Sequence, residues 1–217
     1  MSIKIEKKHL RLYIVTDRSW LGSQTLQEQV KEVIDGGATC IQIREKGLED
    51  DAFIKEAATI KVLTDAAGIP FIVNDNIDVA LAIDADGVHI GQSDGAVAEA
   101  KRKLGSDKIL GVSAQTLEQA LSAEADGADY LGVGAVFPTS TKTDAVEVEF
   151  DTLRSICDAV QIPVVAIGGI SEKTLPQLAG SNVDGVAVIS AVFSQKDRRV
   201  AAKRIRALSE KMVEQHV

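Results

Sequence analysis

Short, near-continuous runs of apolar and β-branched residues alternate along the chain with longer stretches whose apolar positions recur every three or four residues. The short runs are LRLYIVTD (10–17), CIQIRE (40–45), PFIVND (70–75), GVHIGQ (87–92), ILGVSA (109–114), YLGVGAVF (130–137), PVVAIGG (163–169) and GVAVIS (185–190). Runs of this kind predict parallel strands whose outer faces are covered by helices. Between them, TLQEQVKEVIDGG (25–37), DDAFIKEAATIKVLTDAAG (50–68) and TLEQALSAEADG (116–127) carry the helical period. Acidic-Gly or Gly-Gly turns recur ahead of strands in VIDGGATCIQI, IDADGVHI, EADGADYLGV and SNVDGVAVI, a weak internal echo. A glycine in the left-handed conformation stops a helix and lets the next strand begin at once.

Eight such units in 217 residues, with no Pro/Gly-rich linker, predict an α/β fold. The arrangement expected is a (β/α)8 TIM barrel forming a single domain over 1–217. An open flavodoxin-like sheet is the competing arrangement, but it needs fewer strands. Residues 1–9 read as a loose leader or as a short helix covering the barrel bottom.

In such barrels active sites form where strands end and βα loops begin. The strand ends here are unusually polar: Thr16-Asp17, Gln42 to Lys46, Asn74-Asp75, Gln92 to Asp94, Ser113, Thr139 to Lys142, Gly168-Gly169 and Ile189-Ser190. Strand alternation puts Gln42, Arg44 and Lys46 on one face, the first two pointing into the mouth. A charge inside a barrel is costly unless paired, so an anionic ligand is a natural partner; an internal bridge to Glu45 is the structural alternative. Asp75 and Asp94, on consecutive strands, offer hard oxygens suited to Mg²⁺, which commonly binds through one or two carboxylates and substrate phosphates. Each also has a plain role as a helix cap, for IDVALAID (77–84) and AVAEAKRKL (96–104). FPTSTKTDA (137–145) reads as a polar loop able to reach over a ligand, or simply as a solvated one. The glycines at 168 and 169, with Ile189 and Ser190, fall where barrels of this type often bind phosphate through backbone N–H groups; on its own a Gly-Gly pair is usually just a turn. His89, inside the fourth run, reads as a hydrogen-bonded structural histidine in preference to an acid–base, and His9 and His216 as solvated.

Composition narrows the partners. Hydrophobic residues make up 45% and charged residues 26%, which suits a large core and a water-facing surface. Aromatics are only 4% and the formal net charge is −8, so nucleic acid and anionic membrane surfaces are unfavourable partners. Anionic substrates must then be drawn by local cations. No apolar run reaches transmembrane length and the start, MSIKIEKKHL, carries no secretory signal, so a cytoplasmic setting is expected. Cys40 and Cys157 lie far apart and read as free, buried thiols. A homo-oligomer is compatible with the sequence, which does not set the number of subunits.

Taken in order, QIREK (42–46), VND (73–75), GVHIGQSD (87–94), GVSA (111–114), PTSTK (138–142), AIGGI (166–170) and VIS (188–190) resemble the thiamine phosphate synthase family across nearly the whole chain. The resemblance implies a transferase that condenses a hydroxymethylpyrimidine diphosphate with a thiazole phosphate, giving thiamine phosphate and pyrophosphate. It implies a pyrimidine diphosphate site made of Gln42, Ile43, Arg44, Glu45, Lys46, Asn74, Ser113 and Lys142, with Arg44, Lys46, Ser113 and Lys142 acting in catalysis. It places one Mg²⁺ on Asp75 and Asp94, and the thiazole phosphate against Thr139, Ser140, Thr141, Gly169, Ile189 and Ser190. Many family members carry histidine where this chain has Gln115, and a related thiazole tautomerase branch uses a histidine in that neighbourhood as its acid–base. Gln115 therefore weighs against the tautomerase. A sugar-phosphate isomerase or epimerase would want a clear acid–base pair, which the strand ends lack. A non-catalytic thiamine-phosphate-binding regulator would have little need of the full set of cations and carboxylates.

Overall fold

The computed structural model describes residues 3–92, 95–139 and 147–215. Eight parallel strands close on themselves in chain order: β1 (Leu12–Val15), β2 (Cys40–Ile43), β3 (Phe71–Asn74), β4 (Gly87–Ile90), β5 (Ile109–Ala114), β6 (Tyr130–Val133), β7 (Val164–Ile167) and β8 (Gly185–Val188). Every strand lies inside the run expected for it. The last strand returns to the first, Ala187 facing Tyr13 and Val188 facing Ile14. The open-sheet alternative is thereby excluded.

Helices α1 (Leu26–Asp35), α2 (Asp50–Ala67), α3 (Ile77–Ala82), α4 (Val97–Leu104), α5 (Leu117–Ala125) and α6 (Phe150–Ala159) link the first seven strands. A 3₁₀ turn at Leu175–Leu178 stands in for a helix between β7 and β8. The short α7 (Ser190–Phe193) then leads into the long α8 (Arg198–Glu214). Caps are local and legible. Thr25 and Glu28 form a reciprocal capping box at α1, and the side chains of Asn76, Thr116 and Asp197 accept N–H bonds at the starts of α3, α5 and α8.

Apolar residues divide into two sets by strand parity. Ile14, Ile41, Ile43, Val73, Val88, Leu110, Val112 and Leu131 face outward into the layer shared with the helices. Tyr13, Val15, Cys40, Ile72, Ile109, Tyr130, Val165 and Ala187 fill the barrel interior. At the bottom, a 3₁₀ turn at Lys7–Leu10 drives the fully buried Leu10 into that interior set, so the segment just before β1 is a packed plug. A Cβ on Gly185 would lie 1.9 Å from the Leu10 carbonyl oxygen, which is why glycine stands there.

The internal echo has a different origin from the one its glycines suggested. The residue just before each even-numbered strand caps the strand before it. Thr39 Oγ1 accepts from Leu12 N–H (2.8 Å), and the carboxylates of Asp86, Asp129 and Asp184 accept from the N–H groups of Phe71, Leu110 and Val164 (2.9, 2.7 and 2.9 Å). Left-handed glycines do close two of the four echo segments, at Gly37 and Gly127. Gly87 and Gly185 are strand residues instead, and the left-handed positions nearest them are Asp84 and Asn182.

Candidate functional site

The mouth at the C-terminal ends of the strands gathers Gln42, Arg44, Asn74, Ser113, Gly169 and Ser190, together with exposed Lys46 and Asp75. Asp94, Ser140, Thr141 and Lys142 lie outside the described residues.

On one side, β2 ends at Ile43, so the period-two rule that orients Gln42 no longer governs Arg44 and Lys46. Ile43 itself faces outward and is fully buried, so it supports the segment from behind. Arg44 is held through its backbone: its N–H donates to Oγ1 of the fully buried Thr16 at 3.0 Å. The acid between the two cations is not their partner. Arg18, from the 3₁₀ turn at Arg18–Trp20 after β1, donates from Nε to Glu45 Oε2 at 2.7 Å and reaches Glu56 with its other arm. The expected bridge to Glu45 exists, but Arg18 makes it. Among the described residues Arg44 and Lys46 have no ion-pair partner. Glu45 is 2% exposed in its side chain, its Oε1 has no hydrogen-bond partner among those residues, and burial raises its carboxyl above the usual range against the pull of Arg18.

Asp75 follows β3 in the left-handed region (φ 63°), with Asn76 N–H closing back to Asn74 carbonyl at 2.8 Å. Its own N–H donates to the His89 carbonyl at 2.8 Å, which ties this corner to β4. A non-glycine residue held there carries a conformational cost, and such residues cluster at functional sites. The plain role of helix cap belongs to its neighbour: Asn76 caps α3, accepting from Val79 N–H at 2.9 Å. At α4 the N-cap position is Ala96, which makes no side-chain cap. Among the described residues no three His, Cys, Asp or Glu side chains form a metal cage.

Across the mouth, Gly168 (φ 100°) and Gly169 (φ 63°) both need the left-handed region. Added Cβ atoms would lie 2.6 Å from Ala135 at the first and 2.5 Å from the Pro138 carbonyl at the second. The chain after β6 continues along β7, with Val136 N–H on the Ile167 carbonyl (3.0 Å) and Phe137 N–H on the Gly168 carbonyl (3.2 Å). This lays Phe137 and Pro138 against Gly169. From behind, Thr174 Oγ1 donates to the Gly169 carbonyl at 3.0 Å. The N–H groups of Gly169, Ile170 and Ser190 have no acceptor among the described residues. Ile189 sits at the N-cap of α7 and Ser190 opens that helix, so among the described residues three N–H groups on this side have no acceptor.

The barrel floor between these halves is polar, which the sequence did not suggest. Gln42 Nε2 donates to the Tyr13 hydroxyl (2.7 Å), which lies 2.7 Å from the Tyr130 hydroxyl. Tyr130 in turn is 3.0 Å from His89 Nδ1, and His89 Nε2 is 2.9 Å from Ser113 Oγ. His89 is hydrogen-bonded through both ring nitrogens, and one of its partners, Ser113, is an expected site residue. Gly111 and Gly132 make room, since Cβ atoms there would meet the Tyr130 ring at 2.2 Å and the His89 ring at 3.0 Å. Gln92 Nε2 fixes the end of β5 by donating to the Ser113 carbonyl at 2.6 Å. Tyr13 and Tyr130 carry little signal in the sequence, because aromatics inside apolar runs usually mean core; their one signal is inward parity with Val15 and Gly132. Arg18 gave none, since its partner lies in another loop.

The remaining expectations divide. His9 is half-buried and accepts from Glu6 N–H at 3.0 Å, so it is not simply solvated; His216 lies outside the described residues. Both cysteines are free. Cys40 is fully buried and Cys157 partly so, and burial pushes the Cys157 thiol up to about 12.

Fold and site together define a single-domain parallel α/β barrel with a cation-bearing half and a glycine-rich, N–H-bearing half facing each other across one mouth. A family model described as thiamine monophosphate synthase matches residues 12–192. A thiamine-phosphate synthase of Clostridium tetani is 48% identical over 89% of this chain and 93% of its own length. That of Chloroflexus aurantiacus is 49% identical over 91% and 92%. The solved thiamine phosphate pyrophosphorylase of Pyrococcus furiosus superposes with a TM-score of 0.88 at 42% identity, covering 95% of this chain and 98% of its own. The chain belongs to the thiamine monophosphate synthase family.

Proposed function

We propose that this chain is a thiamine-phosphate synthase, joining 4-amino-2-methyl-5-(diphosphooxymethyl)pyrimidine to a thiazole phosphate with release of pyrophosphate. The observation that carries the reading is the pair Arg44 and Lys46, left without ion-pair partners among the described residues because Arg18 takes the intervening Glu45. Two adjacent cations without internal counterions fit a diphosphate. The opposite half, with the N–H groups of Gly169, Ile170 and Ser190, suits a single phosphate monoester.

In this reading the bond from the methylene carbon to the diphosphate oxygen breaks and the electron pair leaves with pyrophosphate. The aminopyrimidine ring stabilises the resulting cation, and the thiazole nitrogen lone pair forms the new C–N bond. Arg44 and Lys46, with Lys142, hold charge as it grows on the departing pyrophosphate. Ser113, Gln42 and Asn74 orient the pyrimidine. Thr139, Ser140, Thr141, Gly169, Ile189 and Ser190 hold the thiazole phosphate so that its nitrogen faces the methylene carbon, which turns an encounter into a positioned step. Ile43 and Glu45 act from behind, by packing and by keeping their neighbours in place. No side-chain nucleophile is needed.

Asp75 fits Mg²⁺ by donor chemistry: it is an exposed carboxylate at the mouth, held in a left-handed corner and not spent on the cap of α3. With Asp94 it would hold one ion, and the small number of protein oxygens matches a metal whose other ligands are water and substrate phosphate. Bound there, Mg²⁺ would neutralise diphosphate charge. No helix of the described residues is long and apolar enough to cross a membrane, and the substrates are small soluble phosphates, in keeping with action in the cytoplasm.

The test is pyrophosphate release from the pyrimidine diphosphate and thiazole phosphate, with and without Mg²⁺. Mg²⁺-dependent release with formation of thiamine phosphate is the expected result. Folded protein that releases no pyrophosphate would overturn the reading and turn attention to tautomerisation of the thiazole.

A further inference from the structure

The chain of hydrogen bonds under the mouth has a direction, and its direction reaches both ends. An amide nitrogen can only donate, so Gln42 Nε2 gives a proton to the Tyr13 hydroxyl. The single Tyr13 proton then goes to its other neighbour, the Tyr130 oxygen 2.7 Å away. Tyr130, having accepted, donates to His89 Nδ1 at 3.0 Å. A neutral imidazole whose Nδ1 accepts carries its proton on Nε2, which donates to Ser113 Oγ at 2.9 Å. Ser113 has then used its oxygen as acceptor toward the floor and keeps its own proton for the mouth. At the opposite end, Gln42 has turned its NH₂ to Tyr13. Its Oε1 accepts from no described residue, and the residue, 4% exposed, lies next to the end of β2 at the mouth. Both phenols are buried in full, which holds their ionisation well above the ordinary tyrosine range and keeps the two protons the chain requires.

We infer that the Tyr13–Tyr130–His89 chain fixes the polarity of two side chains at the mouth, so that Gln42 presents an acceptor and Ser113 a donor. Tyr13 is a positioning residue in this arrangement, acting through Gln42. The chemical class recognised is a 4-aminopyrimidine, whose exocyclic amine donates on one edge and whose ring nitrogen accepts on the edge opposite. A 4-oxopyrimidine, which offers an acceptor where the amine donated, would face the Gln42 carbonyl with like polarity, and a site committed by buried hydrogen bonds rejects such a mismatch strongly. This rests on the pyrimidine subsite of the proposed function. The polarity of the chain is a property of the empty protein and is tested separately.

Two measurements decide it. The first is the tautomer of His89 in the wild type, read by two-bond ¹H–¹⁵N correlation on protein with ¹⁵N-labelled histidine; only three histidines are present. A proton on Nε2 with Nδ1 bare is expected. A proton on Nδ1 means that the chain runs in reverse, with Gln42 presenting NH₂, and overturns the inference without variants or substrates. The second compares dissociation constants of the 4-amino and 4-oxo forms of the hydroxymethylpyrimidine phosphate for wild type and Tyr13→Phe. Loss of the phenol frees the Gln42 amide to turn, so the preference for the amino form should fall by about tenfold, the worth of one hydrogen bond. Affinity for the thiazole phosphate should stay within about twofold, which a general loosening of the barrel would not spare. An unchanged amino-to-oxo ratio in folded Tyr13→Phe would overturn the role of Tyr13. If the wild type makes no thiamine phosphate, the proposed reaction fails, while the His89 tautomer still reads the direction of the chain.

Discussion

Replacing Arg18 by alanine tests whether the acid inside the cationic segment is kept from it by design of the fold. Glu45 lies between Arg44 and Lys46 in sequence, yet its side chain is 2% exposed and turned to Arg18, which is itself 41% exposed. Removing Arg18 takes the partner from Glu45 Oε2, while Oε1 already lacks one among the described residues. Stranding a buried carboxylate costs up to about 3 kcal/mol, but the half-open Arg18 side lets water in, so about 1–2 kcal/mol is the reasonable loss. In a chain of this size that is a fall of about 3–6 °C in Tm. The second consequence is kinetic. A carboxylate released toward the mouth, roughly 6 Å from bound diphosphate, opposes it by about 1 kcal/mol at a dielectric between that of the protein surface and that of water. The KM for pyrimidine diphosphate should rise about fivefold, with the KM for thiazole phosphate unchanged. The assay is a double-mutant cycle by thermal melt and steady-state kinetics on Arg18→Ala, Glu45→Gln and both together. Because the damage in Arg18→Ala comes from the carboxylate, the double variant should recover most of the stability and most of the KM. A double variant as impaired as Arg18→Ala, or worse, refutes the reasoning.

The pH dependence of Glu45 has a definite sign. Burial raises its folded-state carboxyl above the unfolded one, so its favourable contribution is complete below the unfolded carboxylate range and is lost as pH rises through the raised value. Denaturant titrations between about pH 4 and 7 should show Glu45→Gln gaining on the wild type as pH rises; a gap moving the other way would contradict the assignment. Gly111→Ala would push a Cβ to 2.2 Å from the Tyr130 ring and should cost about 1–3 kcal/mol by thermal melt; an unchanged Tm would mean that the ring can shift freely. Asp75→Asn should weaken the Mg²⁺ dependence of pyrophosphate release, and an identical Mg²⁺ titration would remove Asp75 from the metal site. With Cys157 at about 12, its thiolate fraction at pH 8 is about 10⁻⁴, so the native protein should react with a thiol reagent only as it unfolds; rapid native labelling would show a more open site.

Period and punctuation determined most of the architecture. The eight apolar runs are the eight strands, because a parallel sheet covered on both sides is built mostly of apolar residues, Gln42 and His89 being interior exceptions. Strand ends were equally legible: parity alone sends Gln42 and Ser113 inward, and the chain order of the barrel puts them at one mouth with Gly169 and Ser190. What the sequence could not determine is which charge meets which. Glu45 sits beside Arg44 in the chain and is bonded to Arg18 in space, because two loops from neighbouring strands converge there. Asp75 is the cap the sequence offers for the helix after β3, yet its left-handed turn hands the cap to Asn76. Tyr13, Tyr130 and His89 lie on strands far apart in sequence, and closure of the barrel alone brings their polar tips within hydrogen-bond range. Local patterns are set by solvent and backbone, which every segment feels by itself; pairings across the mouth depend on curvature and closure, which no segment contains.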